Sequence, residues 1–193
     1  MFEIFTIGYS VHPVDQFMEL LQMHGITALC DVRSDPYSRF MPQYNRESLK
    51  KEVARHHILY LYLNEELGPR SADPTCYEKG KVQYRRFAAR EIFQQGLARL
   101  RKGMETHRVA LMCAEKAPLM CHRMILICRN LRAEDIVVRH ILEDGSLEEN
   151  RDTEKRLMRL WNIDPADLFS TEADQIQRAY DLQAEKIAYT LKE

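Results

Sequence analysis

The sequence predicts an α/β protein with a mainly parallel sheet and helices on both of its faces. Short apolar runs alternate with amphipathic stretches along roughly the first 145 residues. Strands that alternate with helices are joined by right-handed crossovers and form a parallel sheet that is covered on both sides. Beyond about residue 150 only helical patterns follow. We therefore expect a single domain over residues 1–193, with a core over about 1–145 and a helical extension over about 150–193.

Five strands are expected, each as a short apolar run that ends at polar or turn-forming residues. They lie over residues 4–7, 26–30, 58–63, 109–112 and 136–142. Gly68-Pro69 and Asp73-Pro74 predict a loop over residues 64–80, and Asp144-Gly145 predicts a turn.

Helices are expected where apolar residues recur at helical spacing, over about 13–24, 46–56, 84–102, 118–132, from 150 onward, and 171–191. Gly25 suits the C-terminal cap of the first helix. Thr171, followed by Glu172 and Asp174, suits the N-terminal cap of the last one. Pro118 suits a first helical turn, because the N–H that proline lacks would have no partner there.

The composition excludes several classes of protein. Hydrophobic residues make up 45% and charged residues 30% of the 193 residues, which is typical of a globular chain. The formal net charge of −1 argues against binding nucleic acid through overall charge. The sequence has no GxGxxG or Walker phosphate loop and no apolar run of the ~20 residues that a membrane span needs. Five cysteines without a signal-peptide pattern favour free thiols in the cytoplasm.

The segment from Cys113 to Arg123 is the richest in reactive side chains. It follows the fourth expected strand and leads into the helix expected at Pro118, so it forms a strand-to-helix corner. Open α/β sheets bind ligands at such corners. The free N–H groups of a helix start attract anions, and the guanidinium groups of Arg33, Arg39 and Arg123 suit a phosphate or a carboxylate.

Parallel strands would bring further polar side chains to the same edge of the sheet. Besides the three arginines, we expect substrate contacts from Tyr9, Ser10, Ser38, Lys116, His122 and His140. Glu115 is a carboxylate among cations, so it is either their counter-ion or a catalytic acid/base or nucleophile. Arg33 has a structural alternative, an ion pair with Asp31 or Asp35, and the histidines have ordinary hydrogen bonding as theirs.

Cys113 and Cys121 have two interpretations. Cys113 ends an apolar strand and Cys121 shares a helical face with apolar residues, which favours packing in the core. A thiol close to a helix start can instead have a lowered pKa and be reactive. We expect no metal site, because CxxC and HxxxH spacings are missing and because adjacent Cys121 and His122 would rarely point at one ion.

Charge is unevenly distributed along the chain. Residues 81–108 carry eight lysines or arginines and two glutamates, a local charge of +6. Residues 143–193 carry thirteen acidic and seven basic residues, a local charge of −6. The two stretches either cancel by packing together, remain solvated, or leave a basic stripe that binds nucleic acid.

Several ordered motifs resemble the domain-of-unknown-function family 488, a group widespread in bacteria. They are Thr6-Ile-Gly-Tyr-Ser10, Asp31-Val-Arg33 with Pro36-x-Ser38-Arg39, Leu67-Gly68, Cys113-Ala-Glu-Lys116 with Pro118-x-x-Cys-His-Arg123, and His140-Ile141 before Asp144-Gly145. The resemblance covers about residues 3–160. It implies a compact Rossmann-like α/β fold and, through the matching positions, a shared site, but it implies no reaction and no cofactor.

The leading hypothesis is an enzyme, a hydrolase or a transferase, that acts on a phosphate-bearing, nucleotide-like small molecule at the carboxyl edge of the sheet. Glu115 would be its catalytic residue. The alternatives are a nucleic-acid-binding module that uses the same anion site with the basic helix, and a thiol or metal protein built on Cys113 and Cys121. The sequence leaves the cofactor and the oligomeric state open.

Overall fold

The computed structural model describes residues 2–10, 12–132, 136–163 and 170–191. Within these ranges the strands are β1 (Phe2–Gly8), β2 (Ala28–Asp31), β3 (Leu59–Tyr62), β4 (Tyr77–Glu78), β5 (Lys81–Val82), β6 (Val109–Cys113), β7 (Ile136–Ile141) and β8 (Leu147–Glu149). Six of them form one sheet in the order β3-β2-β6-β1-β7-β8. The first five strands in this order are parallel to one another, and β8 pairs antiparallel with β7 at the edge. The α/β prediction is confirmed.

The helices follow the strands as the sequence predicts, with some shorter pieces. They are α1 (Val14–Met23), α2 (Arg46–Arg55), α3 (Asn64–Leu67), α4 (Tyr84–Ala88), α5 (Glu91–Met104), α6 (Arg129–Leu131), α7 (Asn150–Leu160) and α8 (Glu172–Ile187). Short 3₁₀ turns lie at Pro42–Tyr44, Pro74–Cys76 and Pro118–Met120, and a π-helical turn spans Arg123–Cys128.

The sheet separates two apolar cores, because successive strand residues point to opposite faces. Phe5 and Ala110 belong to the core beneath α1 and α2, whereas their neighbours Ile4 and Leu111 belong to the core beneath α5, α7 and α8. Helices therefore cover both faces, as predicted. α8, the end of the expected helical extension, packs into the second core through residues such as Ile176.

The helix expected over residues 84–102 is broken, since Arg90 has an extended backbone between α4 and α5. Phe87 and Phe93 make an edge contact with ring centroids 5.4 Å apart. In one straight helix, residues six apart point about 120° away from each other, so the break lets both rings enter one core. The loop expected over residues 64–80 contains α3, a 3₁₀ turn and β4, which pairs with β5.

The predicted C-terminal cap of the first helix and the predicted N-terminal cap of the last helix are both confirmed. Gly25 has a positive φ of 62° directly after α1. Thr171 caps α8 through a reciprocal capping box with Asp174. No helix in the described part of the chain is long and apolar enough to cross a membrane.

Candidate functional site

The carboxyl ends of β1 and β6 are adjacent, and the connections that follow these two strands run over opposite faces of the sheet. After β1 the chain passes over one face towards β2, and after β6 it passes over the other face towards β7. Such a switch point is where open α/β sheets bind ligands. A Cβ atom on Gly8 would lie 2.0 Å from the Glu115 carbonyl oxygen. Glycine at this position therefore allows the loop after β6 to fold over the end of β1.

Arg123 is fully buried and stabilises the loop after β6. Its guanidinium donates hydrogen bonds to the backbone carbonyls of Glu115 and Lys116 and to the Thr6 hydroxyl. Arg123 is 0% exposed, so its guanidinium faces the loop and not solvent. The expectation that Arg123 binds a substrate anion is therefore not carried into the proposed site.

The helix after β6 begins later than the sequence predicts. Pro118 starts only a three-residue 3₁₀ turn, and Cys121 is extended, with φ −129° and ψ 139°. The helical backbone starts at His122, with φ −59° and ψ −25°. The anion site expected at a helix start beside Pro118 is therefore not formed. The change of backbone conformation also turns the side chains of Cys121 and His122 towards the same point.

Four reactive side chains meet at this point, which we call the thiol cluster: Cys113, Glu115, Cys121 and His122. The Glu115 Oε2 atom lies 2.9 Å from the Cys113 Sγ atom and 3.2 Å from the Cys121 Sγ atom. The His122 Nδ1 atom lies 3.7 Å and 3.8 Å from the same two sulfur atoms. The thiols and the imidazole are buried, whereas the Glu115 side chain is exposed on its outer side.

The orientation of the His122 ring is fixed by the backbone. Its Nε2 atom lies 3.1 Å from the carbonyl oxygen of Val32. A carbonyl only accepts hydrogen bonds, so the proton of the neutral ring sits on Nε2. The lone pair of Nδ1 is then directed at the two thiols.

The electrostatic environment separates the acidities of the two thiols. The hydrogen bond with Cys121 and burial raise the pKa of the Cys113 thiol well above its usual value. Burial opposes ionisation of Cys121 as well, but the hydrogen bond from Cys113 and the charge of Arg123 lower the pKa of Cys121 well below its usual value. Burial and the adjacent Cys121 raise the pKa of Glu115. The Cys121 thiol is therefore the more acidic of the two.

Arg33, at the end of β2, forms the ion pair that was one of its two predicted alternatives. Its Nε and Nη2 atoms lie 2.8 Å and 2.6 Å from the two carboxylate oxygens of Asp31. Tyr60 donates a 2.6 Å hydrogen bond to the same carboxylate. The guanidinium also lies over the ring of Tyr9, which stacks on Tyr44 with centroids 4.2 Å apart. Arg33 is only 4% exposed, but it lies in the wall of a pocket.

Two cavities meet beside the thiol cluster. The smaller, of about 200 Å³, is lined by Arg33, Glu115 and His122 among others. The larger, of about 920 Å³, lies between α3 and α5 and contains Arg70. Both are lined by Ser34, so they adjoin at the loop after β2.

The other predicted site residues lie apart from these cavities, and one of them stabilises its own loop. His140 is fully buried and bonded through both ring nitrogens, to the Thr6 hydroxyl at 2.8 Å and to Asn150 at 3.1 Å. The proposed site therefore excludes His140. Ser38 accepts hydrogen bonds from two backbone N–H groups of its own loop. The remaining three are exposed, namely Ser10, Arg39 and Lys116, of which the last pairs with Glu143.

The basic stretch over residues 81–108 is largely paired with acids. Partners in the acidic C-terminal part include Glu185 for Lys81 and Asp181 for Arg85. Other pairs join Arg86 to Glu78, Arg90 to Asp73, Arg99 to Glu66 and Arg108 to Glu3. Two of these six pairs join the basic stretch to the acidic C-terminal stretch, so the predicted mutual cancellation applies only to part of it, and the other four acids lie elsewhere in the chain.

Sequence reasoning gave no site role to Tyr60, named Asp31 only as a possible ion-pair partner of Arg33, and named Cys121 only in the thiol or metal alternative. Asp31 and Tyr60 occupy neighbouring parallel strands, but only the register of the two strands reveals that their side chains meet. The sequence signal for the thiol cluster is the cysteine before an adjacent histidine, which becomes informative once the helix is known to start at His122.

A family model described as domain of unknown function DUF488 matches residues 13–129. The matched stretch includes the motifs from Asp31 to Arg123, while the motifs at residues 6–10 and 140–145 lie outside it. A search of curated proteins and a search of solved structures each found no match. Because the family model covers more than half of the chain, the chain belongs to this family.

Proposed function

We propose that this member of the DUF488 family is an enzyme that acts on a phosphate-bearing small molecule at the carboxyl edge of its sheet. The observation that carries the proposal is that Glu115, His122 and Arg33 line one small pocket at the switch point of the sheet. Glu115 exchanges a proton with the substrate, because its carboxyl group lines this pocket and burial raises its pKa above the usual value. Hydrolysis and group transfer both use such a residue.

The dimensions of the cavities favour a substrate with a small reacting group and a larger body. A pocket of about 200 Å³ is below the ~300–1,000 Å³ that is typical for a whole drug-sized ligand. It can accept a terminal phosphoryl group, whereas the adjoining cavity of about 920 Å³ can accept a nucleoside-sized body. Arg33, paired with Asp31, places a guanidinium in the wall of the smaller pocket, and Arg70 lines the larger cavity.

Thermal unfolding in the presence of a panel of phosphates tests this proposal. The panel contains inorganic phosphate, nucleoside mono-, di- and triphosphates, and sugar phosphates, each added to protein treated with a chelator. A ligand at 100 times its Kd stabilises the fold by ~2.7 kcal/mol. For a domain of this size that raises the Tm by about 5–10 °C.

Conservative variants identify where the ligand binds. Arg33→Lys keeps a positive charge beside Asp31 but loses the two-pronged geometry, so it should reduce the shift. Arg55→Ala, which removes an exposed arginine of α2, should leave the shift unchanged. Glu115→Gln should abolish turnover of the bound compound while the Tm shift persists. No shift with any member of the panel, or equal shifts in wild type and Arg33→Lys, would contradict the proposal.

A further inference from the structure

We propose that Cys113, Cys121 and His122 bind a divalent transition-metal ion, Zn²⁺ by preference, with Glu115 as the fourth and exchangeable ligand. The two Sγ atoms and the Nδ1 atom all lie within 4.8 Å of one another. Two kinds of geometric observation support this site: the distances between the donor atoms and the fixed orientation of the imidazole.

The distances fit a tetrahedral ion. With Zn–S bonds of ~2.3 Å and Zn–N bonds of ~2.0–2.1 Å, a sulfur and a nitrogen ligand lie about 3.6 Å apart. The His122 Nδ1 atom lies 3.7 Å from Cys113 Sγ and 3.8 Å from Cys121 Sγ. The Glu115 Oε2 atom is somewhat closer to the sulfurs, at 2.9 Å and 3.2 Å, which are hydrogen-bond distances. It therefore has to withdraw by a few tenths of an ångström when an ion replaces the thiol protons.

The imidazole is oriented as a metal ligand. Histidine ligands usually donate the N–H that does not face the metal to a carbonyl or carboxylate, and this second contact fixes the ring. The contact between His122 Nε2 and the Val32 carbonyl has this form. In the neutral ring the proton is held on the far nitrogen, so the lone pair of Nδ1 faces the two sulfur atoms.

The donor set and its exposure define the class of metal. Thiolates with an imidazole select Zn²⁺ and related borderline-soft ions over Mg²⁺ and Ca²⁺, which prefer oxygen ligands. Three ligands are buried, whereas Glu115 is exposed and lines the small pocket. Three buried ligands and one exposed, exchangeable ligand leave a position that water or a substrate can take over, which is the pattern of a reactive site and not of a closed structural one. A bound ion would thus be reachable from the proposed substrate pocket.

Titration of the reduced, metal-free full-length chain with Co²⁺ tests the site directly. Cobalt replaces zinc at such sites and is coloured. We expect a thiolate-to-metal charge-transfer band and strong visible bands of a tetrahedral ion that saturate at one ion per chain. Added Zn²⁺ should bleach them. This measurement uses no substrate, so its outcome is independent of the test of the proposed enzyme.

Single variants assign the ligands. Cys113→Ala, Cys121→Ala and His122→Gln should each weaken Co²⁺ binding by more than ~100-fold, beyond the 10–100-fold typical of losing only a supporting contact. Cys30→Ala, which removes an equally buried thiol on β2, is the matched control and should bind like wild type. Glu115→Gln should retain binding with a changed visible spectrum, because three ligands remain.

The result that overturns the inference needs no variant. If the wild-type chain, with all of its thiols shown to be reduced, gives no charge-transfer band with Co²⁺ and does not retain Zn²⁺ on dialysis, the site does not bind metal. The ligand assignment is overturned if Cys113→Ala gives the wild-type spectrum, or if Cys30→Ala loses it. Circular dichroism of each variant identifies a loss of binding that is due only to unfolding.

Discussion

Replacing His140 with glutamine should remove a measurable part of the pH dependence of folding stability. His140 lies inside the sheet on β7, where its neutral ring accepts a hydrogen bond from the Thr6 hydroxyl and donates one to Asn150. The Thr6 hydroxyl oxygen in turn accepts from Arg123. A proton added to the His140 ring would face the Thr6 donor and lie close to the Arg123 charge. Burial and this charge lower the pKa of His140 to about 3.

The sign and the size of the effect follow from the two pKa values. In the unfolded chain the ring titrates near 6.5, and in the folded chain near 3. Between these values the unfolded state binds the additional proton, so the free energy of unfolding decreases as the pH falls from 6.5 towards 3. This contribution to stability is fully present above pH 6.5. Integration from pH 7 to pH 5 gives a loss of about 2 kcal/mol from this one residue.

Urea unfolding of the metal-free protein at pH 7 and at pH 5 measures this loss. We expect the difference between the two free energies of unfolding to be about 2 kcal/mol smaller in His140→Gln than in wild type. His107→Gln, at a partly exposed histidine, is the control and should behave like wild type. The reasoning is refuted if His140→Gln retains the wild-type pH dependence, since the proton linkage would then lie elsewhere.

Two further substitutions test how the site is built, each by urea unfolding. Gly8→Ala places a Cβ atom 2.0 Å from a carbonyl oxygen of the loop after β6, so it should cost about 1–3 kcal/mol and weaken Co²⁺ binding. Gly103→Ala, where the nearest atom would be 3.7 Å away, should be tolerated. Tyr60→Phe removes the hydrogen bond to the buried Asp31 carboxylate and should cost about 1.5–3 kcal/mol. A cost below ~0.5 kcal/mol for either Gly8→Ala or Tyr60→Phe would argue against the described packing.

The long periodic segments of this chain were predictable, and the short or interrupted ones were not. The strand that became β6 and the helix that became α1 each have enough apolar residues at a regular spacing to reveal their type. β4 and β5 have only two residues each, which is too short for any periodicity to appear. The break at Arg90 depends on where Phe87 and Phe93 are buried, which is a tertiary property.

The position of the candidate site could be predicted from the sequence, but the directions of its side chains could not. That polar residues following β1, β2 and β6 would meet at one edge follows from parallel strands alone. Whether Arg123 points to solvent or inward depends on the close approach of two backbones at Gly8, which the sequence does not reveal. The expectation that Cys121 and His122 diverge assumed a regular helix through Pro118, and the extended backbone at Cys121 removes that assumption.

Because Arg123 points inward, its positive charge acts on groups inside the protein and not on a ligand at the edge of the sheet. As a substrate ligand, this residue would have required an external anion. As a buried cation that binds the loop carbonyls, it instead stabilises negative charge inside the protein, and its charge acts to lower the pKa values of both Cys121 and Cys113. Two sulfur atoms, an imidazole lone pair and a carboxylate face one point beside it. Because Cys113, Glu115 and His122 line the same small pocket as Arg33, the proposed metal ion and the proposed substrate would share this edge of the sheet.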